Sequence, residues 1–304
     1  MEIRPERPSD YAAVARVHAL AFDNRASEPA VVALRRQAPS YDPELALVAE
    51  AEGEVVGHVL FAPETIRLLD CDVRAVNVAP LAVLPAHQRR RVGTALINEG
   101  HRIARAKGFA LSFLLGRPEY YARLGYLGGV FGVSRLTVSS GGELMPLLAR
   151  PPREADVAAL RELWLEEEGG VDFAIDPGAD LLGWVSPNPT VESLVWTAGG
   201  EVAGYTRVSR PDPAGVRMFL AREDTARALA TALALRYGLG TGIELPLHPS
   251  CPSAARLGTA VCEPWEAGMA CGLNPSQLEE YVARLGAGLR PPGRPVWPVV
   301  FDVA

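Results

Sequence analysis

Residues 76–97 read VNVAPLAVLPAHQRRRVGTALI, and this segment predicts the fold of the first half of the chain. Val76–Leu84 is an apolar run of strand character, and Pro85 interrupts it. A basic loop, Gln88–Thr94, leads into a helix, because the apolar positions that follow recur with helical period. These positions are Leu96, Ile97, Gly100, Ile103 and Ala104. Phe109–Leu115 is a second apolar run, so the unit is strand, basic loop, helix, strand.

The basic loop has the features of a phosphate-binding turn. The first N–H groups of a helix have no partner within the helix, and they lie at the positive end of its dipole. Arg89, Arg90 and Arg91 stand in the same loop. Together these groups predict a site for a multiply charged phosphate. The alternative is an arginine-rich turn that is only solvated, and three arginines by themselves leave both interpretations open.

Beyond this segment, the chain contains an internal repeat in which three pairs of segments match in the same order. The pairs are Arg7–Val14 with Arg153–Leu160, Leu47–Gly57 with Leu194–Gly204, and Ala122–Gly125 with Ala255–Gly258. Each copy opens with an aspartate, Asp10 or Asp156, at the position of a helix N-cap. We interpret the matches as two copies of one fold with a boundary at Pro151-Pro152, the alternative being chance similarity between common helix starts and hairpins.

Composition and charge exclude several classes of protein. The chain has 304 residues, 48% of them hydrophobic and 22% charged, which suits two folded domains and excludes wholesale disorder. Residues 1–145 carry 17 basic and 16 acidic side chains, whereas the remainder carries 13 and 20. The formal net charge of −6 therefore comes from an acidic second half, which argues against a general nucleic-acid binder.

The same sequence predicts a cytoplasmic protein with no membrane partner. No stretch approaches the ~20 apolar residues of a membrane helix, and Met1–Pro5 does not start a signal region. The four cysteines lack CxxC spacing, so we expect buried thiols in a reducing compartment. The five histidines show no HxxxH pair, and we expect no metal site.

The quoted segment and its surroundings resemble the GNAT (Gcn5-related N-acetyltransferase) superfamily over about residues 1–150. The matching stretches occur in the family's order. They are Val55–Val59, Leu81–Pro85, Gln88 to Gly93, Ala95–Ile97 and Pro118–Tyr126. The resemblance implies a mixed sheet that is splayed between its fourth and fifth strands, with acetyl-CoA in the gap. The fold class is then α/β (α+β), with two GNAT-like domains, each a mixed, splayed β-sheet flanked by helices.

The resemblance and the repeat together predict three regions. Residues 1–150 form a GNAT acetyltransferase domain with the CoA site, and 151–273 form a degenerate GNAT-like domain. Residues 274–304 form a C-terminal helix and an extended tail, which is too short for an independent domain.

The resemblance also implies which residues hold the coenzyme. The strand that ends at Leu81, Ala82 and Val83 would offer backbone groups to the pantetheine arm, and an amide there would polarise the thioester carbonyl. The diphosphate would lie on the turn formed by Gln88, Arg89, Arg90, Arg91, Val92, Gly93 and Thr94. Arg91 departs from the family's pattern, which has glycine there. If the backbone requires a positive φ, arginine costs roughly 1 kcal/mol or more; if it does not, Arg91 adds a cation beside the phosphates.

Tyr121 falls where the family often has a tyrosine that acts as a general acid. A phenol hydrogen-bonded to the departing thiolate can protonate it. The alternative is that Tyr120 and Tyr121 are both packing aromatics on a short helix that Gly125 ends. Many relatives take the proton of the amine with a carboxylate near the fourth strand, but this chain has Asn77 there, so we name no general base.

The second copy lacks these features. Arg222, Glu223 and Asp224 precede its helix, so carboxylates stand where phosphates would need donors. Gly238–Gly242 has glycine spacing that suggests a nucleotide loop, but it follows a helix and is better interpreted as a helix stop.

These features predict an acetyl-CoA-dependent N-acetyltransferase that acts on a small-molecule or peptide amine by direct attack on the thioester, with no metal. The alternative is a CoA-binding sensor or scaffold without turnover. The identity of the amine, the length of acyl chain accepted and the oligomeric state are not indicated by any motif.

Overall fold

A computed structural model gives the structure of the protein and describes residues 1–139, 141, 144–240, 242–275 and 277–303. The first part of the chain alternates strands and helices around one sheet. Its elements are β1 (Glu2–Pro5), α1 (Tyr11–Ala21), α2 (Ser27–Arg35), β2 (Ala46–Ala51), β3 (Glu54–Leu68), β4 (Cys71–Val83), α3 (Val92–Ala106), β5 (Leu111–Leu115), α4 (Pro118–Tyr121) and β6 (Gly132–Ser139).

The second part repeats the pattern in shorter form and ends in a separate helix. Its elements are β7 (Leu148–Arg150), α5 (Val157–Glu168), β8 (Val191–Ala198), β9 (Glu201–Ser209), β10 (Val216–Ala221), α6 (Ala226–Tyr237), β11 (Gly242–Leu245), α7 (Pro252–Leu257), β12 (Val261–Pro264), β13 (Gly268–Gly272) and α8 (Leu278–Gly286). The predicted unit of strand, loop, helix and strand is present as β4, α3 and β5.

The first sheet is mixed and splayed, as predicted. Its strand order is β1-β2-β3-β4-β5-β13, and β4 and β5 run parallel whereas the other neighbours run antiparallel. The β4–β5 pairing ends where Asn77 lies opposite Phe113. Strand β4 then continues to Val83 beside β3 alone. The two strands therefore separate beyond Asn77 and leave a gap between them.

Helix α3 lies against this sheet through one apolar face. Leu96 and Ile97 are fully buried, and so is Ala104 further along the same face of the helix. Gly100 allows the closest approach, because a Cβ at this position would lie 1.9 Å from Cε2 of Phe61 on β3. The glycine in the apolar stripe is thus a requirement of helix–sheet packing.

The repeat has a counterpart in hydrogen bonding. Arg4 pairs with Asp10 through two short contacts of 2.7 and 3.1 Å, and Arg150 pairs with Asp156 at 2.6 and 2.7 Å. Each aspartate also accepts a backbone N–H three residues before it. Both aspartates occupy the N-cap position, but neither makes the side-chain bond to the helix that was expected; they fasten the preceding turn to a strand instead.

Strands cross between the two halves of the chain. Strand β13 completes the first sheet beside β5, while β6 lies between β11 and β12, and β7 lies beside β8. The limits 1–150, 151–273 and 274–304 stay a prediction, and the sheets show that strands on either side of residue 150 pair with the opposite half. Strands β7 to β10 form a sheet of order β10-β9-β8-β7, which packs with α5 and α6 around a large apolar core.

The predicted α/β fold with splayed sheets and flanking helices is confirmed. Within the described ranges, no helix combines the length and the apolar character needed to cross a membrane.

Candidate functional site

The gap between β4 and β5 exposes one edge of the end of β4. Leu81, Ala82 and Val83 pair with β3, where they lie opposite Val59, His58 and Gly57 in that order. No strand of the described residues covers the other edge of this segment, because β5 ends its pairing at Phe113. The backbone groups on that edge therefore have no neighbouring strand within the described part of the chain, and the Val83 carbonyl accepts a bond from Gln88 instead. Binding of the pantetheine arm along this edge stays a prediction.

The basic turn folds back on β4 before α3 begins. The side-chain amide of Gln88 donates to the carbonyl oxygen of Val83 at 3.1 Å, so this residue closes the turn. Arg91 is the N-cap of α3, and its carbonyl accepts the N–H of Ala95 at 3.0 Å. The N–H groups of the following three residues, Val92–Thr94, belong to the first turn and have no acceptor further back in the helix.

Two of the three arginines have a left-handed backbone. Arg89 has φ 61°, and Arg91 has φ 63° with ψ 14°. Arg90 is not among the residues of positive φ. The family's glycine position thus requires a positive φ here, and arginine occupies it at an energetic cost. All three side chains are exposed, so their charges surround the start of α3 and raise the local positive potential.

Tyr121 lies at the other side of the gap, on α4. Its ring covers Gly116, where a Cβ would lie 2.4 Å from Cε2 of the tyrosine. The ring also meets Tyr120 and Tyr126 edge to face, with centroids 4.9 and 5.5 Å away. The Tyr121 hydroxyl has no hydrogen-bond partner among the described residues, and burial raises the pKa of the phenol above its ordinary value. The ring is therefore packed, and the hydroxyl remains protonated and free to donate.

A buried hydrogen-bond network holds the segment around Tyr121 in place. The Tyr126 hydroxyl lies 2.6 Å from Oγ of Ser112 on β5 and 2.9 Å from Nε2 of His101 on α3. Burial lowers the pKa of His101 to about 4, so the imidazole is neutral at physiological pH. Sequence reasoning missed this network; the signal was a histidine inside the apolar stripe of α3, next to Gly100.

Asn77 marks the point where the strands separate. Its side chain is 1% exposed, and neither polar atom has a hydrogen-bond partner in the part of the chain that the structure describes. It lies opposite Ala62 on β3 and Phe113 on β5. An amide cannot accept a proton as a carboxylate does, so the structure adds no general base at this position.

A separate cavity of about 690 Å³ lies between the two halves of the chain, away from the gap. Arg35 and Glu64 form part of its wall as a buried ion pair of 2.7 Å. Arg74 and Phe109 also line it, and they lie near the C-terminal end of α3, opposite the basic turn. The cavity is therefore distinct from the place predicted for the coenzyme.

The corresponding turn of the second copy carries more carboxylates than cations. A cavity of about 460 Å³ beside it is lined by Glu162, Glu166, Glu223 and Asp224 together with Arg222 and Arg256. Thr225 donates from its hydroxyl to the carbonyl of Ala203 at 2.9 Å, which ties the start of α6 to β9. The glycine after α6, Gly238, has φ 64° and ends the helix, as predicted; Thr241 of the same motif lies outside the described residues.

In the described residues, no three His, Cys, Asp or Glu side chains come together as a metal site requires.

Comparison with known proteins agrees with this geometry. A family model for an acetyltransferase (GNAT) domain matches residues 2–128. The uncharacterized N-acetyltransferase YjhQ of Escherichia coli strain K12 is 36% identical over 119 residues, which are 39% of this chain and 65% of YjhQ. The uncharacterized N-acetyltransferase YhbS of the same strain is 32% identical over 127 residues, which are 41% of this chain and 73% of YhbS. The match thus spans slightly less than two thirds of the first relative.

A solved structure extends the likeness of fold to both halves. The crystal structure of a GCN5-related N-acetyltransferase from Anabaena variabilis aligns with a TM-score of 0.69 at 14% identity. The alignment covers 90% of this chain and 73% of that one. At this identity the alignment describes the fold alone.

Proposed function

This chain belongs to the GNAT family of N-acetyltransferases, and on that premise we propose that it transfers an acetyl group from acetyl-CoA to an amine. The observation that carries the proposal is the pairing of a cation-rich helix start with a free phenol across one gap. Arg89–Arg91 and the first turn of α3 stand on one side, and Tyr121 stands on the other. In this proposal, residues 1–150 bind the coenzyme and carry out the acetyl transfer.

The residues around the gap fit a coenzyme that has a diphosphate and an extended arm. The first-turn N–H groups of Val92, Gly93 and Thr94 and the exposed arginines would hold the diphosphate. The arm would lie along the uncovered edge of Leu81–Val83 and bond to its backbone, in the way that an added strand pairs with a sheet edge. The acetyl group would then lie in the gap, close to the backbone donors of β4.

The chemistry that acetyl-CoA supplies is a thioester, whose acyl carbon an amine attacks directly. A backbone N–H near Val83 would stabilise the negative charge that develops on the carbonyl oxygen. A C–N bond forms and the C–S bond breaks. The amine loses a proton to water, and Tyr121 gives its phenolic proton to the sulfur and regains one from solvent. Burial raises the pKa of the Tyr121 phenol, so the hydroxyl is protonated at neutral pH.

Substitution of Tyr121 by phenylalanine tests the proposed acid. Loss of a general acid lowers kcat by about 10²–10⁴-fold, while the retained ring should keep the affinity for CoA close to that of the wild type. The measurements are thiol release from acetyl-CoA and calorimetric binding of CoA. Tyr237→Phe is a matched control, since its hydroxyl bonds Glu192 in the second half and its loss should leave turnover unchanged. Equal loss of turnover and CoA affinity would mean that Tyr121 only packs.

The second candidate function is a CoA-binding sensor or scaffold without turnover. Two observations favour it: the left-handed backbone at Arg91, and the amide of Asn77 where relatives have a carboxylate. A panel of peptide, polyamine, aminoglycoside and amino-acid acceptors distinguishes the two functions. Tight CoA binding with no thiol release on any amine would support the sensor. We expect release with at least one small-molecule or peptide amine, and we expect the protein to act in the cytoplasm.

A further inference from the structure

Tyr120 reaches from α4 to the start of α3. A Cβ built on Gly93 would lie 2.6 Å from the Tyr120 hydroxyl oxygen and 3.6 Å from Cζ of the same ring. The same Cβ would lie 3.6 Å from a methyl group of Leu81 on β4. The hydroxyl is therefore located where α4, the first turn of α3 and the end of β4 meet.

The Tyr120 hydroxyl occupies the position that a side chain at residue 93 would take. An alanine at 93 would face the aromatic carbon Cζ at 3.6 Å, which is ordinary van der Waals contact, but it would overlap the oxygen at 2.6 Å. A methyl group at 93 thus fits beside phenylalanine, whereas beside tyrosine the phenol oxygen must move away. The glycine and the phenol form a matched pair, since each determines whether the other fits.

The hydroxyl is held in the form that donates. Burial raises the pKa of Tyr120, and the nearby Thr94 side chain opposes that shift in part. Thr94 belongs to the first turn of α3, whose N–H groups have no acceptor further back in the helix. A neutral phenol therefore stands beside these N–H groups, and it adds one more donor on the same side of the turn.

We propose that Tyr120 is a coenzyme-binding residue: its hydroxyl donates a hydrogen bond to the diphosphate, and Gly93 is glycine because any side chain there displaces that hydroxyl. This inference rests on the proposed function and divides the roles of two adjacent tyrosines. Tyr120 binds the coenzyme and contributes to its affinity. Tyr121, which turns its ring onto Gly116 instead, gives the proton.

The first arm of the test measures CoA binding by calorimetry and acetyl-CoA kinetics. A hydrogen bond to a charged acceptor is worth enough that Tyr120→Phe should weaken CoA binding by about tenfold. The KM for acetyl-CoA should rise, and kcat at saturation should fall far less than in Tyr121→Phe. Tyr237→Phe is again the control for loss of a remote phenol hydroxyl.

The second arm is a double-mutant cycle with Gly93→Ala. If the alanine acts by displacing the hydroxyl, Gly93→Ala should weaken CoA binding as Tyr120→Phe does, and the double variant should be no weaker than either. Without coenzyme, Gly93→Ala should lower the melting temperature of the protein when residue 120 is tyrosine. In the Tyr120→Phe background it should raise the melting temperature, because alanine favours the helix and the clash is gone.

The outcomes distinguish a failure of this inference from a failure of the proposed function on which it rests. Wild-type CoA affinity in Tyr120→Phe would overturn the inference and leave the proposed function standing. Additive losses in the cycle, or a melting temperature that falls equally in both backgrounds, would overturn the link to Gly93. A wild-type protein that binds no CoA would overturn both the proposed function and this inference.

Discussion

Replacing Arg91 by glycine should stabilise this protein, although it removes a residue from the proposed binding turn. Arg91 has φ 63° and ψ 14° at the start of α3, and its side chain is exposed. A left-handed backbone costs an L-residue roughly 1–2 kcal/mol, and glycine is free of that cost. Glycine in turn loses more chain entropy on folding, by roughly 0.5–1 kcal/mol. The net expectation for Arg91→Gly is a stabilisation of up to about 1.5 kcal/mol.

The neighbouring Arg90 provides a matched control. Its backbone is not among those of positive φ, so Arg90→Gly carries the entropy cost with no relief of strain. Both variants lose one exposed arginine from the same turn, and their unfolded states gain the same freedom. The difference between their free energies of unfolding therefore isolates the left-handed strain, and it should be about 1–2 kcal/mol in favour of Arg91→Gly.

Urea unfolding followed by tryptophan fluorescence measures this difference, and calorimetry at low and high salt measures CoA binding. Since the two variants remove the same charge near the proposed diphosphate, both should bind CoA more weakly at low salt, with a smaller loss at high salt. If Arg91→Gly is destabilised as much as Arg90→Gly, the turn does not hold Arg91 in a strained conformation. The family's glycine position would then require no strained backbone in this chain.

Two further changes test the packing and a buried carboxyl. Gly100→Ala should lower the free energy of unfolding by about 1–3 kcal/mol through overpacking, because its Cβ would lie 1.9 Å from Phe61. In the double variant, Phe61→Leu should restore part of the lost melting temperature. Burial raises the pKa of Glu167 to about 7 despite a 2.8 Å hydrogen bond from Ser253. Its protonated form therefore stabilises the fold below the ordinary pKa of 4.5, and that contribution is lost as the pH rises through about 7. Glu167→Gln should remove this pH dependence, and a wild-type melting temperature that does not fall relative to the variant between pH 5 and 8 would contradict it.

The local features of the fold could be predicted because they are written in adjacent residues. The apolar run at Val76–Leu84 and the helical stripe after Thr94 predicted β4 and α3. Their starts differ, since β4 already begins at Cys71 and α3 begins at Val92, within the predicted loop. The gap followed from the resemblance and agrees with a pairing that ends at Asn77. The position of Tyr121 beside the gap followed in the same way, whereas its proposed chemistry awaits the kinetic test.

The exchange of strands could not be predicted, because it depends on partners far apart in the chain. Gly268–Gly272 reads GMACG and carries little signal of a strand, yet it covers the edge of β5. Likewise, the family's pattern marks only Arg91 as a glycine position, and nothing in the sequence indicates that Arg89 has a left-handed backbone as well. The close approach of the Tyr120 hydroxyl to Gly93 is also a tertiary contact. It could not be predicted, because it depends on how α4 packs beside α3.

The crossing strands give the second half a role in the site even though its own turn is acidic. Strand β13 pairs with β5 along its full length, and the N–H of Gly116 donates to the carbonyl of Ala267 at 2.9 Å. Gly116 is the residue that the ring of Tyr121 covers, so the proposed acid rests on backbone that the second half holds in place. An uncovered edge at β5 would leave that backbone free to move and to pair with other chains. The second copy can therefore lose the donors of a phosphate site and still be required, because it completes the sheet on which Tyr121 is positioned.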